Sequence, residues 1–196
     1  MNILLLSTDK FLINFIKSTT EYNVDVFFDD VNEINYNNYS IIIFDSVEQD
    51  KVSEILKNIN YNFSLVININ SYRLNNAINI EIPFKVNILK DHIEKYIEYT
   101  NKYCIICGGF KLNMNKNILF INNKNIFLTE KECLLLYTLY KYKKVYKDNL
   151  LKIVCGYDDN SRAIETLIYN VRFKLKNNGV EDFIVCQDGF YKLNLI

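Results

Sequence analysis

Few residues of this chain are spaced to break or make bonds, and the five cysteines are the first to weigh. Cys104 and Cys107 form a Cys-x-x-Cys pair, a spacing that serves zinc binding or thiol–disulfide exchange. A structural zinc site takes four ligands, however, and no second cysteine pair or histidine pair follows at a suitable distance. The pair therefore reads as buried or edge cysteines. With Cys133, Cys155 and Cys186 the total is odd and confined to the second half, which is unlike a secreted disulfide framework and suits free thiols in a reducing compartment. His92 is the single histidine; it has no catalytic partner in view and reads as a surface or interface side chain. No catalytic residue, metal or cofactor is assigned, and the chain is not read as an enzyme.

The stretch from Ser161 to Asn177 has more to offer. Ile164, Leu167, Ile168, Val171 and Leu175 recur at helical spacing, which leaves Thr166, Tyr169, Asn170 and Phe173 off the apolar face. Charge sets this half of the chain apart as well. The chain is neutral as a whole, but residues 1–103 carry nine Lys+Arg against fourteen Asp+Glu, and residues 104–196 carry fourteen against nine. An acidic half joined to a basic one suggests that only the second meets a polyanion.

The elements that must position these residues follow from hydropathy. In the first half, apolar runs at 3–6, 24–28, 41–44, 65–69 and 78–82 alternate with amphipathic stretches at 10–18, 51–59 and 86–99, the pattern of a parallel sheet wrapped on both faces. The connection between 69 and 78 is too short for a full helix, so one helix is reduced or missing. Asn101-Lys102 is the expected boundary, giving domains 1–100 and 101–196.

Short strands then follow at 110–114, 118–121 and 126–128, separated by Asn-rich turns. Thr129 and Glu132 are spaced as a capping box for a helix whose core face is Cys133, Leu134, Leu136, Tyr137 and Tyr140. Asp148 is placed to cap a shorter helix that carries Leu150, Leu151 and Val154 and stops at Gly156. After the helix from Ser161, strands at 183–186 and 190–193 close a hairpin on Asp188-Gly189. Three helices and a hairpin make a winged helix. No apolar run approaches the roughly 20 residues of a membrane span, and the first is too short for a signal segment, so the expectation is a cytoplasmic protein with no membrane partner.

The pattern Leu128-Thr129-x-x-Glu132-x-Leu134-Leu135, Val145, Leu150-Leu151, Gly156-Tyr157, Arg162-x-Ile164-Glu165, Ile168, Val171-Arg172-x-Lys174-Leu175 and Tyr191-Lys192-Leu193 resembles the winged-helix domain of the OmpR/PhoB family of response regulators. Residues 3–6, 39–45 and Pro83-Phe84 resemble that family's flavodoxin-like receiver domain. The resemblance implies double-stranded DNA as partner, a recognition helix in the major groove and a hairpin reaching toward the minor groove. It also implies Arg162 and Arg172 on phosphate, Glu165, Thr166, Tyr169 and Asn170 toward base edges, and Phe173 and Lys174 in the same DNA-facing set. Gln187 stands where the wing usually carries arginine. Lys141, Lys143, Lys144 and Lys147, around the turn between the first two helices, are candidate compensating cations, and Lys144 and Lys147 join the DNA-binding set.

Phosphotransfer in such receivers needs an acceptor aspartate, an acidic pair for magnesium, a hydroxyl and a lysine. Asp45 matches the acceptor, but Ser7 and Thr8 stand for the acidic pair, Asn68 for the hydroxyl and Ile82 for the lysine. Asp45 is thus a vestigial phosphoacceptor unless Asp9 with Asp29 or Asp30 rebuilds a site. The expectation is a phosphorylation-independent transcription regulator that pairs as a homodimer through Ile88, His92 and Tyr99, with RNA polymerase as a candidate partner. Two alternatives stand beside it: a protein-interaction module with the winged helix as scaffold, or a phosphorylation-dependent regulator using Asp45.

Overall fold

The computed structural model describes residues 1–27, 34–107, 109–156 and 161–194. It divides into two compact units, Met1–Glu98 and Tyr99–Ile196.

The first unit is a parallel sheet of β1 (Asn2–Leu6), β2 (Asn23–Phe27), β3 (Ile41–Phe44), β4 (Leu65–Asn68) and β5 (Ile78–Asn79), in the order β2-β1-β3-β4-β5. That is the flavodoxin-like, receiver-like order. Alternation along the strands divides the core in two. Ile3, Leu5, Ile41, Ile43 and Ile67 pack with Leu12 and Ile16 of α1 (Lys10–Thr19) and with Leu89 and Ile93 of α3 (Val86–Tyr103). Leu4, Leu6, Ile42, Phe44 and Val66 pack with Val52 and Ile55 of α2 (Gln49–Leu56). Apolar residues on both faces are what a sheet covered on both sides requires.

Residues 69–77 hold no helix, so the fourth helix is absent, as the short connection dictates. Between β2 and β3 the described residues form only a 3₁₀ turn, Tyr36–Asn38. Phe28, Asp29 and Asp30 lie outside the described residues. The expected boundary at Asn101-Lys102 falls inside α3, whose last residues count with the second unit; no Pro or Gly interrupts that stretch, and helix continues through it.

The second unit opens with an antiparallel meander of β6 (Cys104–Cys107), β7 (Phe110–Asn113), β8 (Ile118–Ile121) and β9 (Lys124–Phe127). Strand β6 was not among the expected strands. Its four residues are too few to show alternation against the flanking helix and glycines. Asn122 and Asn123 both take positive φ, 50° and 58°, in the two-residue turn between β8 and β9.

Next come α4 (Glu130–Tyr142), β10 (Val145–Tyr146), α5 (Lys147–Val154), α6 (Ser161–Lys176), β11 (Ile184–Gln187) and β12 (Phe190–Leu193). The last hairpin turns on Asp188 and Gly189, with φ of 53° and 79°, and β10 adds a third strand beside β12. This is a winged helix with one continuous core.

Two details differ from the pattern reading. Along α4 the buried positions are Glu132, Cys133, Leu135, Leu136, Thr138 and Leu139, while Leu134 is exposed. The helix is covered over a wider arc than one stripe because α5, α6 and β12 all contact it. Asp148 caps nothing; the N-cap of α5 is Tyr146, and Asp148 sits in the first turn, where its charge faces the positive end of the helix.

At the start of α4 the capping box is complete. Glu132 N donates to Thr129 Oγ1 at 3.3 Å and Thr129 N donates to Glu132 Oε2 at 2.7 Å. Thr129→Ala removes one half of it and should lower the stability of the second unit by about 1 kcal/mol. Chemical denaturation followed by helical signal measures this, and an unchanged midpoint would show that the cap carries no load.

Candidate functional site

Helix α6 holds the largest group of candidate residues. At 100° per residue, the buried side chains Ile164, Ile168, Val171 and Leu175 form one narrow stripe. Arg162, Thr166, Tyr169, Asn170 and Phe173 fall on the opposite side, and all are exposed. Tyr169 and Phe173 remain 64% and 55% exposed, with ring planes within 19° and centroids 6.3 Å apart. Thr166 Oγ1 donates to the carbonyl of Arg162 at 3.0 Å.

Three of the charged candidates lie on the flanks of that strip and already have partners. Arg172 donates from Nε and Nη2 to the carbonyl oxygen of Ile184, at 3.1 and 2.9 Å, and so ties α6 to the hairpin. Lys174 donates to Glu132 Oε2 at 2.6 Å and to the carbonyl of Phe127 at 3.2 Å, and so ties α6 to the start of α4. Glu165 accepts from Lys147 Nζ at 2.5 Å, and this bond raises the Lys147 pKa. The exposed strip therefore carries an amide, a hydroxyl and two rings, with Arg162 as its cation.

Around it, Gln187 Oε1 accepts from Lys192 at 3.1 Å in the hairpin. Lys143 lies 4.3 Å from the centre of the Tyr140 ring and Lys141 lies 5.4 Å from that of Tyr142. Lys144 is exposed. Tyr157 lies outside the described residues. The ties of Arg172 and Lys174 could not be read from the sequence because their partners are a backbone carbonyl in the hairpin and a carboxylate 42 positions away.

The candidate interface residues separate. Ile88, 43% exposed, and the half-buried His92 belong to the first unit. Tyr99 belongs to the second, where its hydroxyl bonds the Asn113 amide at 3.2 and 3.3 Å and its ring lies 5.3 Å from that of Tyr103.

In the first unit, Asp45 is 7% exposed at the end of β3, and its Oδ2 accepts from the Ser7 hydroxyl at 2.5 Å. The Ser7 oxygen in turn accepts from the Asp9 backbone N–H at 3.0 Å. The Asp9 carboxylate faces its own helix: Oδ1 accepts from Phe11 N and Leu12 N as the N-cap of α1. An aspartate just before a helical apolar run was a legible capping signal.

Beside Asp45, at the ends of β4 and β5, the described side chains that bond one another are neutral. Asn68 Nδ2 donates to Asn79 Oδ1 at 2.9 Å, Asn70 Nδ2 donates to Asn68 Oδ1 at 2.8 Å, and the Tyr72 hydroxyl donates to the Val47 carbonyl at 2.6 Å. Val47 N donates back to Asn70 Oδ1 at 3.1 Å. Ile82, in the lysine position, is 63% exposed. Magnesium prefers several hard carboxylate or water oxygens in octahedral array. One carboxylate held by a serine does not fit it, and among the described residues no three His, Cys, Asp or Glu side chains gather to hold a metal ion.

Cys104 and Cys107 stand at the two ends of β6, and residues three apart on a strand point to opposite faces about 10 Å apart. Burial pushes the Cys104 thiol up to about 11, against a smaller downward pull from Lys116, and pushes the Cys133 thiol to about 11 as well. Cys186 is exposed.

No family profile and no curated protein matches the chain. Several solved structures are similar to it. Response regulator DrrB, an OmpR/PhoB homologue from Thermotoga maritima, is 18% identical over 98% of both chains, with a TM-score of 0.39. The DNA-binding domain of CadC from E. coli is 18% identical, covering 48% of this chain and 94% of that one, with a TM-score of 0.43. The DNA-binding domain of response regulator AdeR, in complex with an intercistronic region, is 14% identical, covering 47% of this chain and all of that one, with a TM-score of 0.42. The likeness is one of fold. Among the described residues no helix is long and apolar enough to cross a membrane.

Two outcomes follow from these contacts. Arg172→Ala should destabilise the second unit by about 1–2 kcal/mol, because the Ile184 carbonyl loses a charged donor, whereas Phe173→Ala should stay within about 0.5 kcal/mol; thermal or chemical melts compare them, and equal stabilities would remove the structural role given to Arg172. Alkylation mapped by mass should label Cys186 first at neutral pH. Cys104 and Cys133 should react slowly until the pH approaches 11, since the thiolate is the reactive form and burial disfavours it.

Proposed function

We propose that this chain is a sequence-specific, duplex-DNA-binding transcription regulator in which α6 lies in the major groove and the β11–β12 hairpin reaches the neighbouring minor groove. The observation that carries the proposal is the strip Arg162, Thr166, Tyr169, Asn170 and Phe173, turned to solvent along the full length of a helix whose other side is core. Core burial fixes the helix rotation, so the same five side chains always face outward.

In this reading Asn170 reads a base edge, Arg162 meets phosphate, and Arg172 and Lys174 hold α6 at its angle while adding positive charge near the backbone. Glu165 and Lys147 act as a pair. Gln187 and Lys192 present the hairpin tip, and Lys144 is a peripheral phosphate contact. Two chains pairing through the surface that includes Ile88 and His92 would set two half-sites about one helical turn apart. The protein works in the cytoplasm, with RNA polymerase as the partner through which bound DNA is read out.

The first unit regulates without phosphoryl transfer. The Ser7 hydroxyl holds the Asp45 carboxylate, and Asn68, Asn70 and Tyr72 bond one another at the end of the neighbouring strand; among the described residues these groups supply neither the further carboxylates for a metal nor the cation that an acyl phosphate needs.

The test is selection of bound fragments from random duplexes by the full chain, followed by titration of the enriched site. Asn170→Ala should cost about 1–3 kcal/mol on that site and much less on random duplex. Equal losses on both would remove Asn170 as a base reader, and failure to enrich any duplex would favour the interaction-module reading. Asp45→Ala should leave affinity unchanged. A loss beyond about tenfold, ~1.4 kcal/mol, in a folded variant would show that the aspartate still switches the protein.

A further inference from the structure

Tyr169 and Phe173 leave two large rings in water on the side of α6 opposite its core, where the duplex-binding reading places base edges. Neither a phosphate nor a base amide is matched by such a surface. The floor of the major groove offers one apolar group, the C5 methyl of thymine. We infer that Tyr169 and Phe173 read thymine methyl groups, so that the half-site is specified by apolar contact as much as by hydrogen bonds.

This inference rests on the duplex-binding reading. The spacing supports it: the ring centroids are 6.3 Å apart, close to the roughly 6.8 Å of two base-pair steps at about 3.4 Å each. Charge selects the occupant. An apolar protein or lipid partner would not call for the surplus of fourteen Lys+Arg over nine Asp+Glu in residues 104–196, nor for Arg162 on the same strip, whereas a polyanion with methyl groups in its groove matches both features. Asn170 and Thr166, on the same strip, bond the polar edges beside those methyls. Apolar contacts release no counterions, so this contribution to affinity is insensitive to salt.

The experiment uses the full chain and the enriched duplex, prepared once with thymine and once with 2′-deoxyuridine, which pairs identically but lacks the methyl. The enriched site should carry thymines within a two-step window of each half-site. Binding should weaken by about fourfold for each contacted methyl removed. The double variant Tyr169→Ser, Phe173→Ser, whose substitutions lie outside the core, should bind both duplexes alike, near the wild-type affinity for the deoxyuridine form, and its melting curve should match wild type.

Equal wild-type binding to the thymine and deoxyuridine forms of an enriched site overturns the inference while leaving duplex binding intact. Absence of any enriched duplex, or preference for single strands over duplex, overturns the duplex-binding reading and the inference with it.

Discussion

A carboxylate taken out of water must be held by donors, or its burial costs more than the fold can supply. Glu132, 3% exposed, is held by two: the backbone N–H of Thr129 and the ammonium of Lys174. The first bond starts α4 where β9 ends, and the second fixes α6 against that same point. With Arg172 gripping the hairpin through Ile184, α6 is clamped on both flanks by charged hydrogen bonds and along its back by Ile164, Ile168, Val171 and Leu175. The helix has one rotation open to it, and that rotation decides which five side chains can meet a ligand.

The first unit makes the opposite use of polar groups. Where a phosphoryl-accepting site would gather several charges, the Asp45 carboxylate is held by the Ser7 hydroxyl, and beyond it neutral groups bond one another: Asn70 with Asn68, Tyr72 with the Val47 carbonyl. Satisfied hydrogen bonds of this kind stiffen the strand ends they join, and each member would leave a partner unmet if removed. The parallel sheet keeps its order while its open end is closed by side chains.

Much of this was legible in the sequence. The alternation of apolar runs gave the five parallel strands, the 69–78 spacing gave the missing helix, and Thr129 with Glu132 gave the start of α4, because each depends on neighbours in the chain. The stripe on α6 placed Tyr169, Asn170 and Phe173 outward for the same reason. What escaped depends on distant partners. The bonds of Lys174 to Glu132 and of Arg172 to the Ile184 carbonyl join residues far apart in the chain, and no local pattern announces them. Leu134 and Leu135 could not be told apart as outer and inner residues without the three elements that contact α4. Strands β6 and β10 are too short to show a period, and Tyr99 was grouped with Ile88 by helical spacing alone although its hydroxyl bonds Asn113.

Strand β5 pairs with its neighbour over only Ile78 and Asn79, and Pro83 follows shortly after. A sheet whose outermost ladder is two residues long offers almost no template on which another chain could add a strand. On that side the first unit is protected against runaway edge-to-edge polymerisation. Any association there is left to side chains on helices and loops, whose fit is specific and finite.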